Sequence, residues 1–129
     1  MYLSWVSYID GVWSGGNSLV QSCEEVMLRL NIFEFIAGTV EISIADEPEF
    51  GPMSIELTSE NKRYLVTLLE ATEDGSDVRI FTNPIATTEM IDILGNSWDA
   101  RSITEDFGLV VMMFKEFYET GDVSRQWLN

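Results

Sequence analysis

Residues 93–123, ILGNSWDARSITEDFGLVVMMFKEFYETGDV, hold the longest and most fully punctuated helix of the chain, and the rest is placed by what that helix must cover. Ser102 and Glu105 stand at capping-box spacing, with Thr104 a competing cap, and Glu105 and Asp106 put negative charge at the helix N-terminus. At about 100° per residue from Phe107, the residues Val110, Val111, Phe114, Phe117 and Tyr118 fall on one stripe, which Leu109 and Met113 widen. Glu105, Asp106, Lys115, Glu116, Glu119 and a lone Met112 take the other side. Gly121 follows the last periodic position, where a left-handed residue ends many helices. The spacing predicts a helix from about Glu105 to Thr120 whose wide apolar face calls for a sheet.

Upstream, the order of elements supplies that sheet. Tyr2 to Ile9 is rich in aromatic and β-branched residues and reads as a first strand, broken at Asp10-Gly11. The following GVWSGGNS, residues 11–18, reads as a flexible turn; its Gly15-Gly16 pair lacks the spacing and the lysine of a phosphate loop. Ser18 and Gln21 form a second capping box, opening a helix from about Leu19 to Asn31 with Leu19, Cys23, Val26, Met27 and Leu30 on its apolar stripe.

From Gly38 the period changes from 3.6 to 2. Val40, Ile42 and Ile44 alternate with Glu41 and Ser43, and Met53, Ile55 and Leu57 alternate with Ser54 and Glu56, the pattern of strands with one face in the core and one wet. Arg63 to Ala71 is apolar on both faces and reads as a central strand, and Glu73-Asp74-Gly75-Ser76 is a hairpin turn into a strand over Val78 to Thr82. Asn83-Pro84 breaks the sheet, and Thr87 or Thr88 caps a short helix over Glu89 to Leu94 that stops at Gly95. The fold class is therefore α+β in one domain, residues 1–129: a mostly antiparallel sheet of about five strands with helices packed on one face, in the order β-α-β-β-β-β-α-α.

The totals narrow the chemistry. The lone Cys23 has no internal disulfide partner and sits on a helix stripe, as a small core residue would. There is no histidine, which removes Ser-His and Cys-His nucleophilic pairs, histidine-ligated zinc and the commonest general base. The acidic runs lack the spacing of a calcium loop, so neither a metal nor another cofactor is expected, and the chain reads as a non-enzyme. No apolar run is long enough to span a membrane and the N-terminus does not resemble a signal peptide, so a complete cytoplasmic protein is expected.

Charge is the most informative total. Seven basic residues stand against 22 acidic ones, a net charge of -15, which disfavours nucleic acid and anionic membranes and favours a cationic macromolecule. Between Glu41 and Glu60 the acids Glu41, Asp46, Glu47, Glu49, Glu56 and Glu60 occur without a single basic residue. Pairing the two alternating strands turns Glu41 and Glu56 to the wet face, with the loop acids at its end. Glu70, Glu73, Asp74 and Asp77 extend the surface. Phe50 within the acidic loop and Trp13 in the Gly-Ser turn are the candidate exposed aromatics of a binding surface, with an inward-folded Phe50 as the alternative. Trp98 is expected in the core, and Asp99 and Arg101 are expected to brace the helix junction by pairing with its backbone or with each other.

The segments Ile93-Leu94-Gly95, Trp98-Asp99, Arg101, Thr104, Asp106-Phe107, Phe114-Lys115-Glu116-Phe117 and Gly121-Asp122-Val123-Ser124, with Trp13 to Asn17, resemble a family of small bacterial proteins of uncharacterised role. That family includes immunity proteins encoded beside contact-dependent growth inhibition toxins. The resemblance covers nearly the whole chain, and its motifs look structural, not catalytic. It implies a toxin inhibitor that binds the C-terminal domain of its cognate toxin, a basic nuclease, and occludes the active site or substrate surface as a phosphate mimic. Two alternatives stay open: a small-molecule ligand-binding domain or enzyme with a carboxylate-lined cleft between the long helix and the sheet, and a DNA-mimic regulator of another basic protein.

Overall fold

The computed structural model describes residues 1–46, 48–83, 87 and 89–129. Its framework is an antiparallel sheet in the order β2-β1-β3-β4-β5-β6, formed by β1 (Tyr2–Ile9), β2 (Val12–Leu19), β3 (Ala37–Ser43), β4 (Gly51–Glu60), β5 (Arg63–Thr72) and β6 (Gly75–Ile80). A two-residue strand, β9 (Ile103–Thr104), pairs with β5 beyond the end of β6. The sheet thus has six to seven strands, not five, and the difference lies mainly in β2. Residues 11–18 are not a loose turn: the turn is Asp10-Gly11, both at positive φ, and β1 and β2 pair along their full length from Tyr2↔Leu19 to Ile9↔Val12. Gly16 serves close approach instead of chain reversal, since a Cβ there would lie 2.7 Å from Cζ2 of Trp5.

Helix α1 (Cys23–Ile32) begins four residues later than the sequence spacing suggests. The working box is Ser22 with Glu25: Ser22 Oγ accepts from the Glu25 N–H (3.3 Å), and the Glu25 carboxylate accepts from the Gln21 N–H (3.0 Å) and from Ser18 Oγ (3.1 Å). Leu19 is left as the last residue of β2. Val26, Leu30 and then Phe33 turn inward, while the Arg29 guanidinium lies 3.8 Å above the Trp5 ring.

Directly opposed residues share a sheet face, so the register fixes which side is core. Leu3, Ile42, Ile55, Leu68 and Arg79 form one inward row, Trp5, Val40, Leu57 and Val66 the next, and Tyr64 continues beyond them. Helix α2 (Phe107–Thr120) closes this face with Val110, Met113, Phe114 and Phe117, all fully buried, and Phe107 set edge-on to Tyr64. Its N-cap is Asp106, whose side chain accepts from the Leu109 N–H (3.3 Å). Ser102 instead belongs to a 3₁₀ turn (Ala100–Ser102) opened by Asp99. Gly121, at φ 80°, ends the helix as expected and donates to the Phe117 carbonyl.

The region expected as a short helix over Glu89 to Leu94 is a second hairpin, β7 (Met90–Ile93) and β8 (Asn96–Asp99), turning at Leu94-Gly95. Exposed Met90 and Asp92 alternate with half-buried Ile91 and buried Ile93, a period of two in β-branched residues that outweighs the helical cap signals. Pro84 and the alternative cap Thr88 lie outside the described residues. The hairpin packs Ile91, Ile93, Leu94 and Trp98 onto Leu65, Ile80 and Ile103, so part of the face away from the helices is covered as well.

Past α2 the tail returns to β6 around Arg79, which is only 3% exposed. Its guanidinium donates to the carbonyls of Leu128 and Val123 and to Asp122 Oδ1 (2.8 Å), with Glu70 Oε1 at 3.7 Å. Leu128 bridges Phe81, the Asn129 N–H donates to the Ile80 carbonyl, and Trp127 packs against the main core. Among the described residues no helix is long and apolar enough to cross a membrane.

Candidate functional site

Among the described residues, the sheet face opposite the helices is covered by the β7–β8 hairpin near β5. Elsewhere it presents the row Asn17, Ser4, Glu41, Glu56, Thr67 and, beside it, the row Leu19, Tyr2, Ser43, Ser54, Leu69, Val78. Glu41 and Glu56 share the open face, as the alternation predicts, and the register sets them directly opposite one another on β3 and β4, where both are half-buried. Burial raises the Glu56 carboxyl above the ordinary carboxylate value, and the neighbouring Glu41 charge raises it further. A hydrogen bond between the two carboxyls, which requires a proton on one of them, acts in the same direction; Thr58 Oγ1 donates to Glu56 (3.5 Å) and opposes it.

Beside this pair the face hollows into a cleft of about 350 Å³ lined by Tyr2, Glu41, Ser43, Ile44, Ala45, Met53, Ser54 and Leu69. A register shift between Pro52 and Ser54 bulges Met53 out of the ladder at its wall. Of the lining groups only Glu41 belongs to the acidic pattern of the sequence. The others were to be found through parity: Tyr2 and Leu69 stand one residue from Leu3 and Leu68, which face the core.

The antiparallel order brings the β3–β4 connection and the β5–β6 turn to the same end of the sheet. Exposed Asp46, Glu49, Glu73 and Asp74 gather there, with Phe50 55% exposed among them, so the outward reading of that aromatic holds. Glu47 lies outside the described residues. Asp77 does not join this end's open face: it is opposite Glu70, on the helix side, where Glu70 meets Arg125 (3.4 Å) and Arg79. Trp13 is on the open face but at the far corner, in β2 instead of a turn, with its ring 4.6 Å from that of Tyr8. Asp99 and Arg101 form the expected brace. The Asp99 carboxylate accepts from the Arg101 N–H (2.9 Å) and guanidinium (2.6 Å), and these bonds lower its pKa to about 2.

The basic residues stand elsewhere. Arg29 covers Trp5, Lys62 and Arg63 lie at the opposite end of β4 and β5, Arg79 is buried, Arg101 is paired, Lys115 is on α2 and Arg125 meets Glu70. Among the described residues no group of three or more histidine, cysteine or carboxylate side chains is placed to hold a metal ion. The inward face of α2, where the alternative reading looks for a carboxylate-lined cleft, carries Val110, Met113, Phe114 and Phe117, all buried in the core.

A family of unknown function, DUF6911, matches residues 9–127. The chain belongs to that family. It is also similar to the crystal structure of a hypothetical protein from Neisseria gonorrhoeae, with a TM-score of 0.76 and 19% identity over 95% of this chain and 90% of that one, a likeness of fold. Among curated proteins nothing matches the chain.

Proposed function

We propose that this chain is an immunity-type inhibitor, a noncatalytic cytoplasmic protein that neutralises the basic C-terminal nuclease domain of a cognate toxin by covering its phosphate-binding surface. The observation that carries the reading is that exposed Asp46, Glu49, Glu73 and Asp74 share one end of the sheet with exposed Phe50, with Glu41 and Glu56 further along the open face of β3 and β4. Carboxylates spaced along strands and turns offer a nuclease what its substrate offers, a line of negative charge. The field of a protein with net charge -15 speeds encounter with such a partner at low salt. Phe50 supplies the apolar anchor that charge alone lacks.

Biolayer interferometry against the toxin domain encoded beside the chain tests the reading. The triple variant Asp46→Lys, Glu49→Lys, Asp74→Lys is expected to slow association at least tenfold at low ionic strength and to flatten its salt dependence. Unchanged association, or no binding by the native chain, would refute it.

One observation favours a second reading, in which the chain binds a small cationic ligand. The cleft beside Glu41 combines a carboxylate, three hydroxyls and an apolar wall, a lining suited to a protonated amine on a short carbon chain. Calorimetric titration with simple diamines separates the two readings, since an immunity protein has no need to bind them.

A further inference from the structure

The two edges of the sheet are treated differently. Edge strand β6 is six residues long, carries Asp77, and is met by the tail through the Phe81↔Leu128 bridge and the Asn129 N–H bond to the Ile80 carbonyl. Among the described residues, edge strand β2, VWSGGNSL, pairs with β1 alone, and it bears no charge, no proline and no bulge, the usual guards against edge-to-edge pairing. Exposed apolar side chains concentrate beside it: Val12, Trp13 and Leu19 on β2 itself, with Tyr2, Val6 and Tyr8 on the adjoining strand.

The backbone of β2 specifies what it can pair with. The Val20 N–H donates to the Met1 carbonyl (2.8 Å), which makes Leu3↔Ser18, Trp5↔Gly16, Ser7↔Ser14 and Ile9↔Val12 the hydrogen-bonded pairs of the hairpin. The N–H and C=O groups of Trp13, Gly15, Asn17 and Leu19 therefore point out of the sheet. All four residues have their Cα–Cβ side, or its glycine equivalent, on the face opposite the helices.

We propose that β2 is a homodimer seam, at which two copies of this chain join their sheets edge to edge, antiparallel about a two-fold axis through Gly16. In that register Trp13 lies opposite Leu19 of the second copy and Gly15 opposite its Asn17. Every outward backbone group finds a partner, about eight hydrogen bonds at two per hydrogen-bonded pair. The two-fold keeps each face continuous, so the largest exposed side chains of the strand, Trp13 and Leu19, meet each other twice. A basic partner strand has nothing to recognise on an uncharged edge, whereas an identical strand meets no like charge there despite the net charge of -15. Antiparallel joining also sets the two acidic ends at opposite corners of the continuous sheet, where they repel least and both stay open.

Light scattering on the intact chain tests the seam. An eight-residue strand pairing lies near the ~1,000 Å² lower bound of a specific interface, so a micromolar dimer is expected, and about 50 µM chain should show twice the 14.6 kDa mass. Asn17→Pro, which removes an outward N–H, and Leu19→Lys should each give the monomer mass with an unchanged circular dichroism spectrum. In a Cys23→Ser background, Ser14→Cys with Ser18→Cys should cross-link into a covalent dimer on mild oxidation, because these residues face each other across the axis, while Ser14→Cys alone should not. A native chain that stays monomeric at about 200 µM, or a dimer that survives both edge variants and does not cross-link, would overturn the proposal.

Discussion

Replacing Glu56 by glutamine removes one of two like charges held directly across adjacent strands, keeps the side chain's size, and leaves an amide able to donate to Glu41. Directly opposed like charges cost a sheet about 0.2–1 kcal/mol relative to neutral pairs, and the half-burial of Glu56 places this pair at the upper end. Glu56→Gln should therefore raise stability by about 1 kcal/mol at pH 7.5, or roughly 3–5 °C in Tm for a chain of this size. The sign with pH follows from the direction of the shift. The folded Glu56 carboxyl titrates above its ordinary value of 4.5, so between the two values the folded state binds more protons than the unfolded one. Native stability then falls as pH rises through that window. Below it Glu56 is protonated in both states, and the variant's advantage vanishes. Thermal melts of both proteins from pH 4 to pH 8 test this. A Tm gain that is the same at every pH, or a loss at pH 7.5, would refute the account of the pair; so would a Glu41→Gln, Glu56→Gln double variant that gains the sum of the two singles, since one neutralisation already removes the repulsion.

Arg79→Met leaves the carbonyls of Val123 and Leu128 without their buried donor and should cost about 2–5 kcal/mol in urea unfolding, with Arg79→Lys recovering little because one ammonium replaces a three-way fork. Gly16→Val drives a Cβ into the Trp5 indole and should cost about 1–3 kcal/mol, seen as a lowered urea midpoint and a shifted tryptophan emission. The Asp99 carboxyl should titrate at about 2 by carbon-detected NMR and move back towards its ordinary 3.8 in Arg101→Ala; its contribution to stability is present above the unfolded pKa and lost as pH falls through about 2.

What could be read in advance was whatever repeated. The α2 stripe from Phe107 to Phe117 and the shared wet face of Glu41 and Glu56 follow from periods of 3.6 and 2, which packing enforces over many residues, while the register that sets the two acids directly opposite one another does not. Single residues with two uses were misread. Gly16 has the composition of a turn, yet it is needed so that Trp5 can lie flat, a contact between strands that local propensity does not encode. Ser18 and Gln21 have cap spacing, but both bond to Glu25, in the first turn of a helix that starts later. Arg79 sits in a short strand between Val78 and Ile80 with nothing nearby in the chain to announce burial, because its partners arrive 43 to 49 residues later. At the site, the acids were visible as composition, while the cleft beside them arises from a bulge and from side chains whose parity is known only after the register is.

The clasp around Arg79 also shapes how the native molecule breathes. One guanidinium holds Asp122, Val123 and Leu128 together, so loosening that side chain weakens the hold on all three at once, while the Leu128 bridge to Phe81, the Asn129 bond to the Ile80 carbonyl and Trp127 on the core still tie the tail down. Amides from residue 122 onward should consequently become less protected together in Arg79→Met, and in the native chain they should exchange at a free energy below that of the central strands.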